Sequence, residues 1–243
     1  MIINTDLLFG LGFIFIMTTL GALCVFFSGS SKNTSVVNGF SAGVMMSATF
    51  WSLLLPAVEG SSDMGNFAFL PVCFGVVAGS AFIFIIEKIF SLKNISDENA
   101  KCRRLLLAVT VHNIPEGMAV GFAYGANPVA PGIAFGVALG IGLQNFPEGF
   151  ATALPVKTCT GSKLKAFAMG TLSGVVEPVF GLIGALLASK LIILQPFALA
   201  FSAGAMLCVC VSDLIPDCSE KLWGKAAFVL GFCVMTALDV AFS

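Results

Sequence analysis

The chain has 243 residues, of which 58% are hydrophobic and only 10% charged, with a formal net charge of −1. A soluble domain carries about 25% charged residues, so this composition, with a mean hydropathy of +1.00, excludes an ordinary soluble enzyme and a basic nucleic-acid-binding face and places the chain in a bilayer. Eight helical spans of about 20 residues with short loops use up the length and leave no room for a soluble domain. The expected fold class is all-α, a polytopic membrane protein of eight helices forming one transmembrane domain over residues 1–243.

The first span covers about 7–27. No basic segment precedes it and its apolar run is too long for a signal peptide, so it is expected to stay. Polar residues 28–35 make a loop, the second span covers about 38–58, and Glu59 to Asn66 form an acidic turn. The third span, about 67–86, leads into the most polar stretch, Glu87 to Arg104, read as a cytoplasmic loop. Spans four and five, about 105–126 and 130–154, are joined by the short Asn127-Pro128 turn. The last three cover about 166–188, 192–215 and 226–242.

With the N-terminus outside, eleven of the 12 Lys and Arg residues fall on inner loops or inner helix ends, and only Lys190 falls outside. The positive-inside rule then puts both termini outside the cell membrane, plasma or bacterial inner. The eight cysteines include no CxxC pair, and most lie in or beside apolar runs, which reads as small apolar residues and not as a metal or disulfide framework. Ser41-Ala42-Gly43-Val44-Met45 returns as Ser202-Ala203-Gly204-Ala205-Met206, and Leu53 and Glu59 return at Leu214 and Glu220. Span two runs outward and span seven inward, so this is an inverted repeat, with the plan three helices, a central pair, then three inverted helices.

The central pair carries the chemistry. Val111-His112-Asn113-Ile114-Pro115-Glu116-Gly117 is echoed 32 residues later by Leu143-Gln144-Asn145-Phe146-Pro147-Glu148-Gly149. Carboxylates at bilayer depth are costly and mark ion paths or proton relays. His112 and Glu116 share one helix face and Asn113 an adjoining one; Gln144, Asn145 and Glu148 repeat the pattern. Pro115 and Pro147 free the carbonyls of Val111 and Leu143 and are expected to bend each helix beside its carboxylate. Both motifs are equidistant from residue 128, so they should face each other at one depth. Glycines 117, 121 and 125, and 132, 136 and 140, form ladders expected to let these two helices approach closely.

Each polar residue also has a plainer reading. His112, the only histidine, could be a hydrogen-bonded structural residue, but Glu116 one turn on and the mirrored motif favour a ligand. Asn113, Gln144 and Asn145 could be interhelical hydrogen-bond partners or weak carbonyl ligands. Glu177 precedes Pro178 within span six, a charge beside a helix break. Met45 and Met46 are core residues by default. Asp213 and Asp217 flank Pro216 and are either solvated helix-end residues or an exit site for a cation. Asp6, Glu59, Asp63 and Asp239 lie toward the outer face and read as ordinary surface charge.

The paired HNIPEG and QNFPEG stretches resemble the ZIP (ZRT/IRT-like) family of divalent metal transporters, and Gln144 resembles its GufA branch. Ser173-Gly174-Val175-Val176-Glu177-Pro178 is similar to the Glu-Pro signature of the following helix in that branch. The resemblance covers nearly the whole chain. It implies a transporter, not an enzyme, moving zinc first and also Fe2+, Mn2+ or Cd2+ into the cytoplasm, with no cofactor beyond the ion carried. It assigns one metal position to His112, Glu116, Gln144, Glu148 and Met45. A second, sharing Glu116 and Glu148, uses Asn113, Asn145 and Glu177. It also implies alternating access, with spans one, four, five and six moving against the rest. The loop before span four is histidine-rich in many ZIP proteins and has none here, and Ser212-Asp213 departs from the family at the exit position. The expected partners are divalent ions and lipid, without nucleic acid; a homodimer is left open, as is a channel in place of a carrier. The rival class is an intramembrane metal-dependent hydrolase, which the single histidine and the lack of an HExxH helix disfavour.

Overall fold

The computed structural model describes residues 4–28, 34–91, 98–126, 131–188 and 194–242, and every regular element in them is helical. Helix α1 (Thr5–Leu23) opens on Asn4, whose side chain accepts from the Leu7 amide, and tightens into a 3-10 turn over Cys24–Phe26. Helix α2 (Thr34–Ala48) passes through a π-helical segment, Thr49–Leu54, into the short α3 (Leu55–Glu59). Next come α4 (Phe69–Ser91), α5 (Glu98–Ala126) and α6 (Pro131–Thr160). Helices α7 (Lys163–Gly174) and α8 (Val176–Ala188) are separated by a break at Val175. Helix α9 (Gln195–Val209) continues through a second π-helical segment, Cys210–Leu214, into α10 (Ile215–Ser219), and α11 (Leu222–Phe242) closes the chain.

Among the described residues, six stretches are long and apolar enough to cross a membrane: Thr5–Phe26, Ser35–Glu59, Phe69–Ile86, Lys163–Ala188, Gln195–Leu214 and Leu222–Ala241. The protein is therefore a polytopic membrane protein. Helices α5 and α6, at 29 and 30 residues, have the length to join them but carry the polar motifs. Burial sorts the spans: 61% of the α2 window lies inside the protein against 22% of the α4 window. Helix α2 is thus central and α4 peripheral, with Phe74, Val77 and Phe84 on its lipid side.

The packing has an internal symmetry. Helix α2 lies along α11 as α9 lies along α4, α6 along α1 as α5 along α8, and α6 meets α2 as α5 meets α9. Exchanging α2 with α9, α4 with α11, α1 with α7–α8, and α5 with α6 maps each pair onto another. Local details follow the exchange. Each π-helical segment begins four residues after a methionine of the repeated motif, Met45 or Met206. A Cβ on Gly43 would strike the Phe228 carbonyl of α11, and one on Gly204 the Val76 carbonyl of α4.

Several expected boundaries move. The polar stretch Glu87 to Arg104 is mostly helix, since α4 runs on to Ser91 and α5 begins at Glu98; Glu, Lys and Arg are good helix formers once outside the apolar layer. Span five extends past Leu154 to Thr160, and α11 starts at Leu222. The prolines at 115 and 147 do not interrupt α5 or α6. The breaks fall at Val175 and in the two π-helical segments. The glycine ladders do not join α5 to α6 either. Gly117, Gly121 and Gly125 lie against α8, at the carbonyls of Glu177, Gly181 and Ala185, whereas Gly132 and Gly136 have open space beside them. The seven cysteines described are free thiols, and Cys102 lies outside the residues whose side chains are described.

The turn between α6 and α7 is closed by Gly161 at φ +66°, where glycine alone is unstrained. Beside it Lys157 Nζ donates to the Ser28 carbonyl (2.8 Å) and Lys163 Nζ to the Phe26 carbonyl (2.7 Å), tying the end of α1 to this turn.

Candidate metal site

Two glycines set the site. A Cβ on Gly117 would strike the backbone of Glu177, and one on Gly149 the backbone of Thr18, so α8 and α1 sit directly against the two motifs. The close approach brings the side chains of those neighbours into the space between α5 and α6. There Thr18 Oγ1 donates to Glu177 Oε1 at 2.8 Å.

Glu177 is fully buried and accepts three hydrogen bonds. Besides Thr18, it takes one from Asn113 Nδ2 (3.1 Å) and one from Asn145 Nδ2 (2.9 Å). Asn113 Nδ2 also donates to the Ser173 carbonyl at 3.1 Å. Gln144 Nε2 donates to Glu116 Oε1 at 2.8 Å. These bonds show the two motifs facing each other, as their spacing predicts. They also engage the amide nitrogens of all three side chains, which leaves the oxygens.

Asn113 Oδ1, Asn145 Oδ1, Gln144 Oε1, Glu116 Oε2 and Glu148 Oε2 are all buried without a hydrogen-bond partner among the described residues. A buried polar atom left unpaired costs about 1–3 kcal/mol. A cation satisfies such lone pairs together. Glu116, Glu148 and Glu177 are all buried, and a divalent ion would supply the charge that buried carboxylates need. His112, 5% exposed, lies on the α5 face of Glu116, one turn earlier. Imidazole, carboxylate and amide oxygen together suit divalent first-row metals. Among the described residues no three His, Cys, Asp or Glu side chains converge closely enough to hold an ion alone. The amide oxygens of Asn113, Gln144 and Asn145 are what complete a ligand set.

Other expected residues fall differently. Met45 is buried in α2 within the main core cluster, but the sulfur seen against the motifs is Met206 Sδ, 4.0 Å from Gln144 Nε2. The repeat that pairs Met45 with Met206 held the signal for it. Asp213 is exposed on the π-helical segment after α9, and the Asp217 side chain lies outside those described. Asp239 is not surface charge: it is 8% exposed, and Ser52 Oγ donates to its Oδ1 at 2.8 Å. Both line a cavity of about 230 Å³ with Trp51, Glu59 and Gly136. A Cβ on Gly140 would strike Ser52 Oγ, and Gly140 precedes Gln144 by one turn, about 6 Å. The cavity therefore ends close to the paired motifs. Two residues at the site had not been singled out for it from sequence. Thr18 has no local signature; Ser202, whose Oγ donates to the Pro115 carbonyl at 2.7 Å, was marked only as part of the repeat.

A family model described as "ZIP Zinc transporter" matches residues 103–239, which span both motifs and Glu177. The chain is 33% identical to zinc transporter ZIP11 of Homo sapiens, over 96% of each chain. It is 32% identical to zinc transporter ZIP11 of Xenopus tropicalis, over 92% of this chain and 93% of that one. It is also 34% identical to the zinc transporter GufA of Myxococcus xanthus, over 92% and 94% respectively.

Proposed function

The chain belongs to the ZIP zinc transporter family, and from that premise we propose that it carries divalent metal ions, zinc first, into the cytoplasm through the space between α5 and α6. It is an integral multi-pass membrane protein and a transporter, not an enzyme. One observation supports the assignment of the path: the five side-chain oxygens of the two facing motifs that are buried without a hydrogen-bond partner among the described residues. They are neutral or anionic donors, and the buried His112 lies one helical turn before Glu116.

In this reading His112, Glu116, Gln144 and Glu148 hold one ion, with Met45 as a thioether donor. Asn113, Asn145 and Glu177 hold a second or a passing ion and share the two central carboxylates. Amide oxygens are weak ligands, which suits a site that must release its ion. Fe2+, Mn2+ and Cd2+ fit the same donors, so selectivity comes from geometry and supply more than from intrinsic affinity. The cavity at Asp239, Ser52 and Glu59 is the outer approach, where carboxylates raise the local cation concentration.

The direction rests on charge. If the six apolar spans and the two motif helices all cross, the chain makes eight passes in a 3+2+3 plan, and eleven of 12 Lys and Arg residues lie inside. Both termini are then outside the cell membrane. Uptake would be driven by the metal gradient or a coupled ion, since no nucleotide-binding motif is present in the sequence. In sealed cells an impermeant maleimide should reach a cysteine placed at Asp63 and not the native Cys159, which is exposed on the inner side, and external zinc should accumulate above control cells. Labelling of Cys159 from outside would reverse the orientation and the direction with it.

A further inference from the structure

Ser41 and Ser202 occupy equivalent places in the two copies of the Ser-Ala-Gly-x-Met motif, yet they differ in what they touch. Ser202 is 1% exposed, and its Oγ donates to the Pro115 carbonyl in the α5 motif at 2.7 Å. Ser41 is also 1% exposed, and its Oγ has no hydrogen-bond partner among the described residues. The two methionines of the motif are both buried in the main core cluster, and Met206 Sδ lies 4.0 Å from Gln144 Nε2.

The symmetry of the packing says what Ser41 lacks. Exchanging α9 with α2 and α5 with α6 carries Ser202 onto Ser41 and Pro115 onto Pro147. Helix α2 does lie against α6, where Leu143 packs on the cluster of Val44, Ala48 and Met235. Spans two and five cross in opposite directions. Exchange of the repeats therefore pairs Ser41 with Pro147 as Ser202 is paired with Pro115. The bond from Ser41 to the Pro147 carbonyl that the exchange calls for is not made in this structure. Leaving a buried hydroxyl unpaired is unfavourable. Carriers built from inverted repeats alternate by rocking one bundle or repeat against the other around a fixed site.

We propose that Ser202 and Ser41 are alternating positioning residues of the transport cycle. Ser202 holds the α5 motif through the Pro115 carbonyl in the observed state. In the opposite state that bond is released and Ser41 donates to the Pro147 carbonyl of the α6 motif. Each serine thus stabilises one of the two states, and both act through the backbone of the metal motifs without touching the ion. The inference rests on the transport reading, because only a protein that alternates has a second state to hold.

The test is a reporter cysteine at Leu55, which lines the outer cavity, with the exposed Cys73, Cys159 and Cys233 replaced by serine. An impermeant maleimide applied in metal-free membranes gives the ratio of accessible to protected reporter. Ser202→Ala should lower that ratio about fivefold and Ser41→Ala should raise it about fivefold, the worth of one net hydrogen bond in each case. The double variant should return to within about twofold of the parent, because two such changes cancel. If both single variants move the ratio the same way, or Ser41→Ala leaves it unchanged, the proposal is wrong. Should Ser202→Ala fail to insert, the Ser41→Ala result alone decides between the same outcomes. Because the labelling uses no metal, its failure is distinct from a failure of zinc uptake by the unmodified protein, which would count against transport itself.

Discussion

Glu148→Ala is expected to abolish metal transport while leaving a folded, membrane-inserted protein. Glu148 Oε2 is buried and accepts no hydrogen bond, so removing it relieves an unsatisfied group and leaves no donor without its acceptor. The metal loses a charge that both proposed positions share. Taking one member from a buried charge pair costs about 3–5 kcal/mol, and 3 kcal/mol is roughly a hundredfold in affinity. Glu177 is a less clean target, since its removal would strip the acceptor from Thr18, Asn113 and Asn145 together. Zinc uptake by the Glu148→Ala protein, measured beside its membrane abundance, checks the expectation. Near-normal uptake at normal abundance would remove the central site from the account.

Gly117→Ala should be nearly as damaging for a different reason. The added Cβ would overlap the Glu177 carbonyl and lie 2.7 Å from its Cα. Neither atom belongs to a flexible side chain, so α8 itself must move. Overpacking of this kind costs about 1–3 kcal/mol, and the shift carries Glu177 away from the two asparagines that it orients. Transport should fall at least about tenfold, in keeping with the effect of disturbing groups that orient metal ligands. Gly12→Ala, where nothing lies within 4 Å of the new Cβ, should leave uptake unchanged. Equal uptake by the two variants would show that the α5–α8 contact does not position the site.

The motifs were legible because polar residues at bilayer depth stand out against an apolar background, and because i, i+4 spacing fixes a shared face. That places His112 with Glu116, and the echo predicts the facing pair that the Gln144–Glu116 bond makes real. Spacing could not say which helix a face meets. The ladder at 117, 121 and 125, expected to meet α6, meets α8. Nor could it say that α5 and α6 would run through their prolines while α2 and α9 loosened into π-helical segments. Each π-helical segment runs into a proline, Pro56 or Pro216, which frees the carbonyl four residues earlier, whereas α5 and α6 absorb the same loss at Pro115 and Pro147. Asp239 reads as surface charge because its partner is distant in sequence. Near the end of an apolar helix it looked solvated, but Ser52, 187 residues away, buries it in a hydrogen bond.

This chain alone is expected to move zinc across a bilayer through the paired motifs. Purified protein in liposomes with no other component, given a zinc gradient and an internal zinc dye, should show entry that saturates with external zinc. The same liposomes carrying the Glu148→Ala protein should show none above protein-free vesicles. Tight zinc binding without flux in the unmodified protein would contradict the account.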